Sequence, residues 1–216
     1  MKREAEEGQR ALWNAVRSVL AAQRDGAPLG PCPRNGALPA SFAQQRLWFL
    51  AQLEPDSPVH TVTVAHALVG ELDVASLERS LSEVIRRHEV LRTTLRYDGG
   101  KVLQTIHPPP APGLPIVDLR GLDAGAREEE AQRRTEEVAH APFNLESGPL
   151  LRVLLLRLAE REHRLVVAVH HAVFDGWSFD VFMGELGALY DTFSTGTASP
   201  LPEPALQYAD FAVWQR

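Results

Sequence analysis

The hydrophobic and polar positions of the chain follow two different periods. Apolar residues recur every three or four positions in stretches that predict amphipathic helices, at residues 41–53, 73–88 and 177–193. Alternating or continuous apolar positions instead predict strands, at residues 60–70, 150–159 and 164–173. Helices and strands are therefore expected to be interleaved along the chain.

Three further segments complete this pattern. The stretch "LRTTLRYDGGKVLQTI" predicts a β-hairpin that turns around Asp98, Gly99 and Gly100. Residues 124–140 predict a charged helix that is solvated on most sides, and residues 208–216 predict a final helix. Interleaved elements of both kinds indicate an α/β or α+β fold, in which helices cover a sheet.

The predicted helices have recognisable ends and buried faces. Ser41 is a suitable N-cap for the first of them. The helix at residues 73–88 presents one apolar face, made of Val74, Leu77, Leu81, Val84 and Ile85. The helix that follows Gly176 presents another, made of Phe179, Phe182, Leu186, Leu189 and Phe193.

The N-terminal part of the chain has a separate character. Residues 3 to about 24 have helical spacing, and a proline- and glycine-rich stretch follows them. We therefore divide the chain into a helix and linker, residues 1–36, and a body, residues 37–216. The helix is either a linker helix folded onto the body or a docking element for an upstream protein.

Composition excludes several classes of protein. The chain has 216 residues, of which 44% are hydrophobic, and a formal net charge of -6 without a basic stripe, so nucleic-acid binding is not expected. No apolar run approaches the roughly 20 residues of a membrane helix, and the N-terminus lacks the apolar segment of a signal peptide. A cytoplasmic location is expected by default. The single cysteine, Cys32, excludes an internal disulfide and a multi-cysteine metal site.

The candidate chemistry lies in "HHAVFDG", residues 170–176, directly after the apolar run "LVVAV". If the strand continues through residue 171, its alternation puts His170 and His171 on opposite faces, so that only one of them faces a given cavity. Asp175 can cap the next helix or form an ion pair, and Gly176 lets the backbone approach another group closely.

Two interpretations of this segment remain. One is a buried, hydrogen-bonded core histidine beside a helix cap. The other is a functional site, because ligands of open α/β sheets bind at strand ends and a histidine there can act as a general base near neutral pH. Adjacent histidines on a strand cannot both ligate zinc from one face, and the chain contains no HExxH, GxSxG, GxxxxGK[ST] or GxGxxG motif.

The histidine segment resembles the HHxxxDG motif of the condensation domains of nonribosomal peptide synthetases. Three more blocks are similar to signatures of that family and occur in the same order: "SFAQQRLWFL", "RHEVLRTTL" and "YADFAVWQR". In the second block, Leu95 stands where phenylalanine is commoner. The resemblance covers about residue 37 to the end of the chain, and the first two blocks resemble domains that take an L-configured or acyl donor.

The resemblance implies a fold like that of chloramphenicol acetyltransferase, with two similar lobes, each a mixed sheet covered by helices, that enclose a tunnel. Signatures of the second lobe do not occur in this sequence. The chain is therefore expected to be an N-terminal lobe with a short extension and without the second lobe. On its own it is expected to be inactive, and to self-associate through exposed apolar surface.

The resemblance also implies a reaction and its residues. The amine of a carrier-bound aminoacyl thioester attacks a carrier-bound acyl or peptidyl thioester, and an amide forms. His171 would face the tunnel and either remove the amine's proton or hold the amine, and the Gly176 N–H would donate to the oxyanion. His170, Asp175 and Arg92 would be structural, His170 as a packing residue and the other two as an ion pair.

The implied partners are the donor and acceptor peptidyl carrier proteins, the missing second lobe, the adjacent synthetase domains, and an upstream synthetase subunit that residues 1–30 could contact. No metal and no directly bound cofactor is expected, because the phosphopantetheine arms belong to the carrier proteins. Contact with nucleic acid or a membrane is not expected either.

Two alternatives to amide formation stay open. An epimerisation domain shares the histidine motif, and a non-catalytic module would only bind carrier proteins. A heterocyclising relative would carry aspartates in place of His170 and His171.

Overall fold

The computed structural model describes residues 28–55, 57–111 and 113–216. Contacts divide the chain into two compact units, Met1–Gly30 and Pro31–Arg216. In the first unit only residues 28–30 are described, and they have no regular secondary structure. The helix predicted at residues 3–24 lies outside the described residues.

The strands of the described residues form two sheets. They are β1 (Leu38–Pro39), β2 (Thr61–Val69), β3 (Thr93–Asp98), β4 (Lys101–Ile106), β5 (Ile116–Asp118), β6 (Leu151–Ala159) and β7 (Glu162–His170). The larger sheet has the order β2–β7–β6–β5, and the smaller one the order β1–β4–β3. In the larger sheet β7 pairs antiparallel with both neighbours, whereas β5 and β6 are parallel, so the sheet is mixed.

The helices begin and end close to the positions that the sequence predicts. They are α1 (Phe42–Leu53), α2 (Val74–Arg87), α3 (Ala124–His140), α4 (Gly176–Ser194) and α5 (Tyr208–Trp214). Short 3₁₀ helices at Pro58–His60 and Glu89–Arg92 precede β2 and β3. Ser41 caps α1 as predicted, in a capping box in which its hydroxyl accepts from the Gln44 N–H.

The hairpin of β3 and β4 turns at the two predicted glycines. Gly99 and Gly100 have φ values of 55° and 84°. L-residues with a side chain rarely adopt this left-handed region, which explains the glycine pair between two strands.

The larger sheet is covered by helices on both faces. The strand alternation separates two apolar clusters: Leu155, Leu165 and Val167 pack with residues of α2 and α4. Their neighbours Leu154, Leu156 and Val166 pack with Ala131 of α3 on the opposite face. This arrangement confirms the predicted fold class, a mixed sheet covered by helices. Within the described ranges, no helix is both long and apolar enough to cross a membrane.

Candidate active site

Strand β7 ends at His170, one residue before the point assumed from the sequence. The His170 N–H donates to the Leu150 carbonyl at 2.9 Å, which continues the pairing with the segment that leads into β6. The His171 N–H donates to the His60 carbonyl at 2.7 Å, at the end of the 3₁₀ helix that precedes β2. The backbone of His171 is therefore fixed by the segment that leads into β2, although the residue itself lies in a turn.

His170 points into the core, where only 5% of the residue is exposed. Its Nδ1 accepts a hydrogen bond from the Ala172 N–H at 3.0 Å, and its ring meets the edges or faces of Phe143 and His60 at centroid distances of 6.1 and 6.2 Å. Burial, with smaller contributions from His60 and His171, lowers the pKa of His170 to about 4. At neutral pH this ring is an uncharged packing group.

His171 has the opposite environment, because it is exposed and lines a cleft of about 460 Å³. The cleft lies between α1, the segment before β2 and the N-terminus of α4. Its lining residues include Arg46, Leu47, His60, His171, Asp175 and Tyr208. Of the two neighbouring histidines, only the second can meet a molecule bound in this cleft.

Asp175 is the N-cap of α4. Its Oδ1 accepts from both the backbone N–H and the hydroxyl of Ser178, at 2.8 and 2.7 Å. Burial raises the pKa of Asp175, but the hydrogen bonds from Ser178 and the proximity of His171 outweigh burial, so the net pKa is below its usual value. The carboxylate therefore stays charged at neutral pH and fixes the start of the helix beside His171.

Gly176 is the first residue of α4 and is exposed. It stands next to the cleft but is not among the residues that line it. A Cβ at this position would meet no atom within 4 Å, and φ is not positive. In this structure neither steric crowding nor backbone strain requires glycine here, so its role in binding an oxyanion stays a prediction.

The predicted ion pair between Arg92 and Asp175 is not formed. The Arg92 guanidinium donates instead to the backbone carbonyls of His107 and Arg86. Arg92 ends a 3₁₀ helix and lines a different cavity from the one beside Asp175. The expected pairing of Arg92 with Asp175 was wrong. A local sequence pattern does not show whether the Arg92 side chain packs near Asp175 or near His107, because this depends on how the elements pack.

An arginine of the same motif block does contact α4. Arg87 at the end of α2 is almost fully buried, and its Nε donates to Glu185 at 3.1 Å. His88 Nε2 lies 2.9 Å from the same carboxylate oxygen of Glu185. These contacts hold α4, the helix that begins at the cleft, against α2.

His60 and Arg46 also line the cleft, and the sequence patterns had indicated neither of them. The register of the sheet places Thr61 opposite His170, so His60 lies next to His171. Only the pairing of β2 with β7 makes His60 a candidate, and no local pattern reveals that pairing. Arg46 is an exposed cation on α1 at the rim of the cleft.

A family model described as "Condensation domain" matches residues 34–216. Chondramide synthase cmdD of Chondromyces crocatus is 52% identical over 189 residues, which is 88% of this chain and 5% of that synthase. The chain thus spans only a small part of the curated relatives that it matches.

Solved structures are similar over most of the described chain. The X-domain from teicoplanin biosynthesis, in its complex with OxyB, matches with a TM-score of 0.77 and 35% identity, over 87% of this chain and 40% of that chain. The starter condensation domain of rhizomide synthetase RzmA matches with a TM-score of 0.71 and 26% identity, over 77% of this chain and 40% of that chain.

The motif blocks, the mixed sheet and these matches agree with one another. They confirm the resemblance drawn from the sequence and the chloramphenicol acetyltransferase-like fold that it implies. The chain belongs to the condensation-domain family of nonribosomal peptide synthetases.

Proposed function

We propose that this chain supplies the histidine-bearing half of an enzyme that forms amide bonds between carrier-bound substrates. The observation that carries the proposal is the contrast between the two histidines. His171 is exposed in a cleft of about 460 Å³, whereas His170 is buried and uncharged. A reacting group in the cleft can therefore reach only the ring of His171.

The proposed reaction joins an acyl or peptidyl thioester to the α-amine of an aminoacyl thioester. The amine nitrogen attacks the thioester carbonyl, and a tetrahedral intermediate forms with negative charge on oxygen. Its collapse breaks the C–S bond, so that the acceptor carries the amide and the donor carrier keeps a free thiol after the thiolate takes up the proton lost by the amine. Since a thioester is already activated, the protein contributes mainly orientation and management of that proton.

His171 is the group we place next to the amine. A free α-amine has a pKa of about 7.7–8, so a useful fraction is neutral at physiological pH. His171 either accepts the proton during attack or holds the amine and stabilises its charge. A base would make the single-turnover rate of the wild type depend on the imidazole's ionisation, and this dependence would vanish in His171→Ala.

The start of α4 is the second part of the proposed site. Backbone N–H groups at a helix N-terminus favour negative charge, and Gly176 is the first residue of that helix. We propose that its N–H donates to the oxyanion once substrate is bound. Asp175 then acts as a positioning residue, since its contacts with Ser178 fix the helix start.

The proposed partners are two peptidyl carrier proteins, one for the donor and one for the acceptor. Their phosphopantetheine arms bring the thioesters to the cleft, and this chain holds no cofactor of its own in the proposal. A second lobe would close the cleft into a tunnel, adjacent synthetase domains would supply the carriers, and residues 1–30 would dock an upstream subunit. The division at residues 36 and 37 and a cytoplasmic location stay predictions.

A second candidate is a non-catalytic binding module. It is favoured by the match to the X-domain from teicoplanin biosynthesis, whose structure was solved as a complex with OxyB. By that analogy, the surface around the cleft would bind a protein and the histidines would have no catalytic role.

A single-turnover assay separates these functions. The full-length product of the gene is mixed with a donor-loaded and an acceptor-loaded carrier protein, and mass spectrometry follows both arms. An amide on the acceptor arm supports condensation. Inversion of the carrier-bound α-carbon without a new amide would establish epimerisation, and carrier binding without either product would establish a binding module.

A further inference from the structure

A second cavity of about 310 Å³ lies away from the His171 cleft, and the two cavities share no lining residue. It lies between α2, the start of β3, the loop after β4 and the segment that leads into β6, and it is open to solvent on one side. Its volume is at the lower end of the range that small-molecule sites occupy.

The walls of this cavity are mostly apolar. They include Leu81 and Ile85 of α2, Leu91, and Leu150, Leu151 and Val153 at the start of β6. Such walls favour a ligand with a hydrocarbon body, because burial of apolar surface stabilises a complex.

The polar groups of the cavity include Arg92, Thr94 and His107. His107 contacts each of the other two. Thr94 Oγ1 lies 2.7 Å from His107 Nε2, and the Arg92 guanidinium donates to the His107 carbonyl. These three residues therefore form one polar side of an otherwise largely apolar pocket.

Arg92 is a half-buried cation that forms no ion pair with the described residues. Its Nε is buried without a hydrogen-bond partner, and its two other contacts are backbone carbonyls. In the described part of the chain no carboxylate lies within ion-pair distance of it, whereas Arg87 on the preceding turn pairs with Glu185. Burial lowers the pKa of Arg92, and the nearby charge of Glu89 offsets this decrease only in part.

A half-buried arginine without an ion-pair partner favours an anionic ligand, because a charge-assisted hydrogen bond is stronger than a neutral one. A guanidinium has five N–H donors in a plane and binds a carboxylate side-on through two of them. Because the cavity offers one arginine without an ion-pair partner, a monoanion matches its charge better than a phosphate dianion does.

We propose that this cavity binds a small monocarboxylate with an apolar body, such as a medium-chain alkanoate, with its carboxylate on Arg92. The proposal is independent of amide formation, because the cavity and the His171 cleft have separate walls.

Octanoate is the probe, and octanamide of equal length is its uncharged control. Both are titrated into the 216-residue chain and followed by calorimetry and ligand-observed NMR. We expect saturable octanoate binding, and binding of octanamide that is weaker by about tenfold or more, as for the loss of a charged hydrogen bond.

Variants locate the site. Arg92→Leu is expected to weaken octanoate binding by about tenfold or more, whereas Arg96→Leu, an exposed arginine of β3 outside the cavity, leaves it unchanged. Circular dichroism checks the fold of each variant. Since Arg92 also holds two loop carbonyls, Ser82→Phe serves as a second variant that fills the cavity from α2 with Arg92 intact.

Loss of binding in Ser82→Phe and in folded Arg92→Leu, with binding kept in His171→Ala, supports the proposal. No saturable octanoate binding, equal binding of the amide, or binding that survives Ser82→Phe would overturn it.

Discussion

His170 and His171 are neighbours in the chain but have different chemical properties because β7 ends between them. His170 is still part of the alternating strand and enters the core, where its Nδ1 accepts from Ala172. His171 follows in a turn and remains exposed at the cleft. His170 is therefore a packing group, whereas the next residue, His171, is available to react with a bound molecule.

The low pKa of His170 makes stability depend on pH. Its pKa is about 4 in the folded chain and about 6.5 in an unfolded chain. As the pH falls below 6.5 the unfolded state takes up the proton first, so the stability present above pH 6.5 is lost progressively towards pH 4. This difference in pKa between the folded and unfolded states changes the free energy of unfolding by about 3 kcal/mol over that pH range.

Urea denaturation of wild type and His170→Asn from pH 7.5 to pH 4 measures this contribution. Asparagine keeps a side-chain acceptor for the Ala172 N–H but does not titrate. We expect the stability difference between the two proteins to shrink or reverse as the pH falls. Parallel curves would show that His170 is not the titrating group.

Asp175→Ala is expected to lower stability and to slow the proposed reaction. Removal of an N-cap side chain costs about 1 kcal/mol, and it also releases the helix start beside His171. Asp123→Ala, which uncaps α3 on the opposite face of the sheet, is the matched control.

Both substitutions should destabilise by similar amounts in urea denaturation. Only Asp175→Ala should reduce the single-turnover rate of the full-length protein. Equal rates in the two variants would mean that the start of α4 has no positioning role.

At the residue scale, strand alternation predicted that only one of the two histidines would face a cavity, and the family resemblance indicated His171 as that residue. The sequence also allowed Asp175 as a helix cap. It did not predict the contacts of Arg92 or the presence of His60 in the cleft. Those depend on pairing between distant segments, which no local pattern contains.

At the scale of elements, the packing of α4 on α2 is what positions the cleft. Arg87 donates to Glu185 and also to the carbonyls of Leu201 and Pro202, at 3.3 and 2.8 Å for the two carbonyls. The end of α2, the body of α4 and the segment before α5 therefore meet at one buried guanidinium.

Glu185→Gln is expected to destabilise the protein by about 2 kcal/mol, because it removes the charge from a hydrogen bond to a buried arginine. Glu137→Gln is the control, since Glu137 forms exposed ion pairs with Arg133 and Arg134 on α3. Its expected cost is below about 0.5 kcal/mol. Thermal and urea denaturation measure both, and equal losses would contradict a structural role for the Glu185 contact.

The long elements were predicted from their periods and caps, as α1 and α2 show. The three-residue strand β5 was not, because three residues after a proline-rich loop carry no period. Its pairing with β6 is parallel and depends on the fold as a whole.

At the scale of the whole molecule, α1 presents an exposed apolar face. Phe49 and Leu53 are 57% and 63% exposed, and Phe42 lies on the same side of the helix. Exposed apolar patches favour association. We therefore expect the isolated chain to self-associate as its concentration rises.

Light scattering coupled to size-exclusion chromatography tests this expectation. The double variant Phe49→Ser with Leu53→Ser should shift the chain towards monomer. Val69→Ser, which changes an exposed apolar residue at the end of the edge strand β2, should not. A wild-type chain that stays monomeric at high concentration would show that this face does not drive association.

The fold class followed from interleaved helical and strand patterns. The chloramphenicol acetyltransferase-like fold followed from the resemblance of the four motif blocks. The sequence alone could not place the two cavities, because each is lined by segments far apart in the chain. Cavities arise from the packing of elements, and their lining depends on side chains that no single segment specifies.

The single-turnover rate of amide formation by full-length His171→Ala, beside wild type and His66→Ala, tests whether His171 takes part in the reaction. His66 is an exposed histidine of β2 outside the cleft. We expect His171→Ala to lose about a hundredfold or more of the rate, while His66→Ala keeps it. Amide formation at the wild-type rate by folded His171→Ala would show that His171 has no part in the reaction.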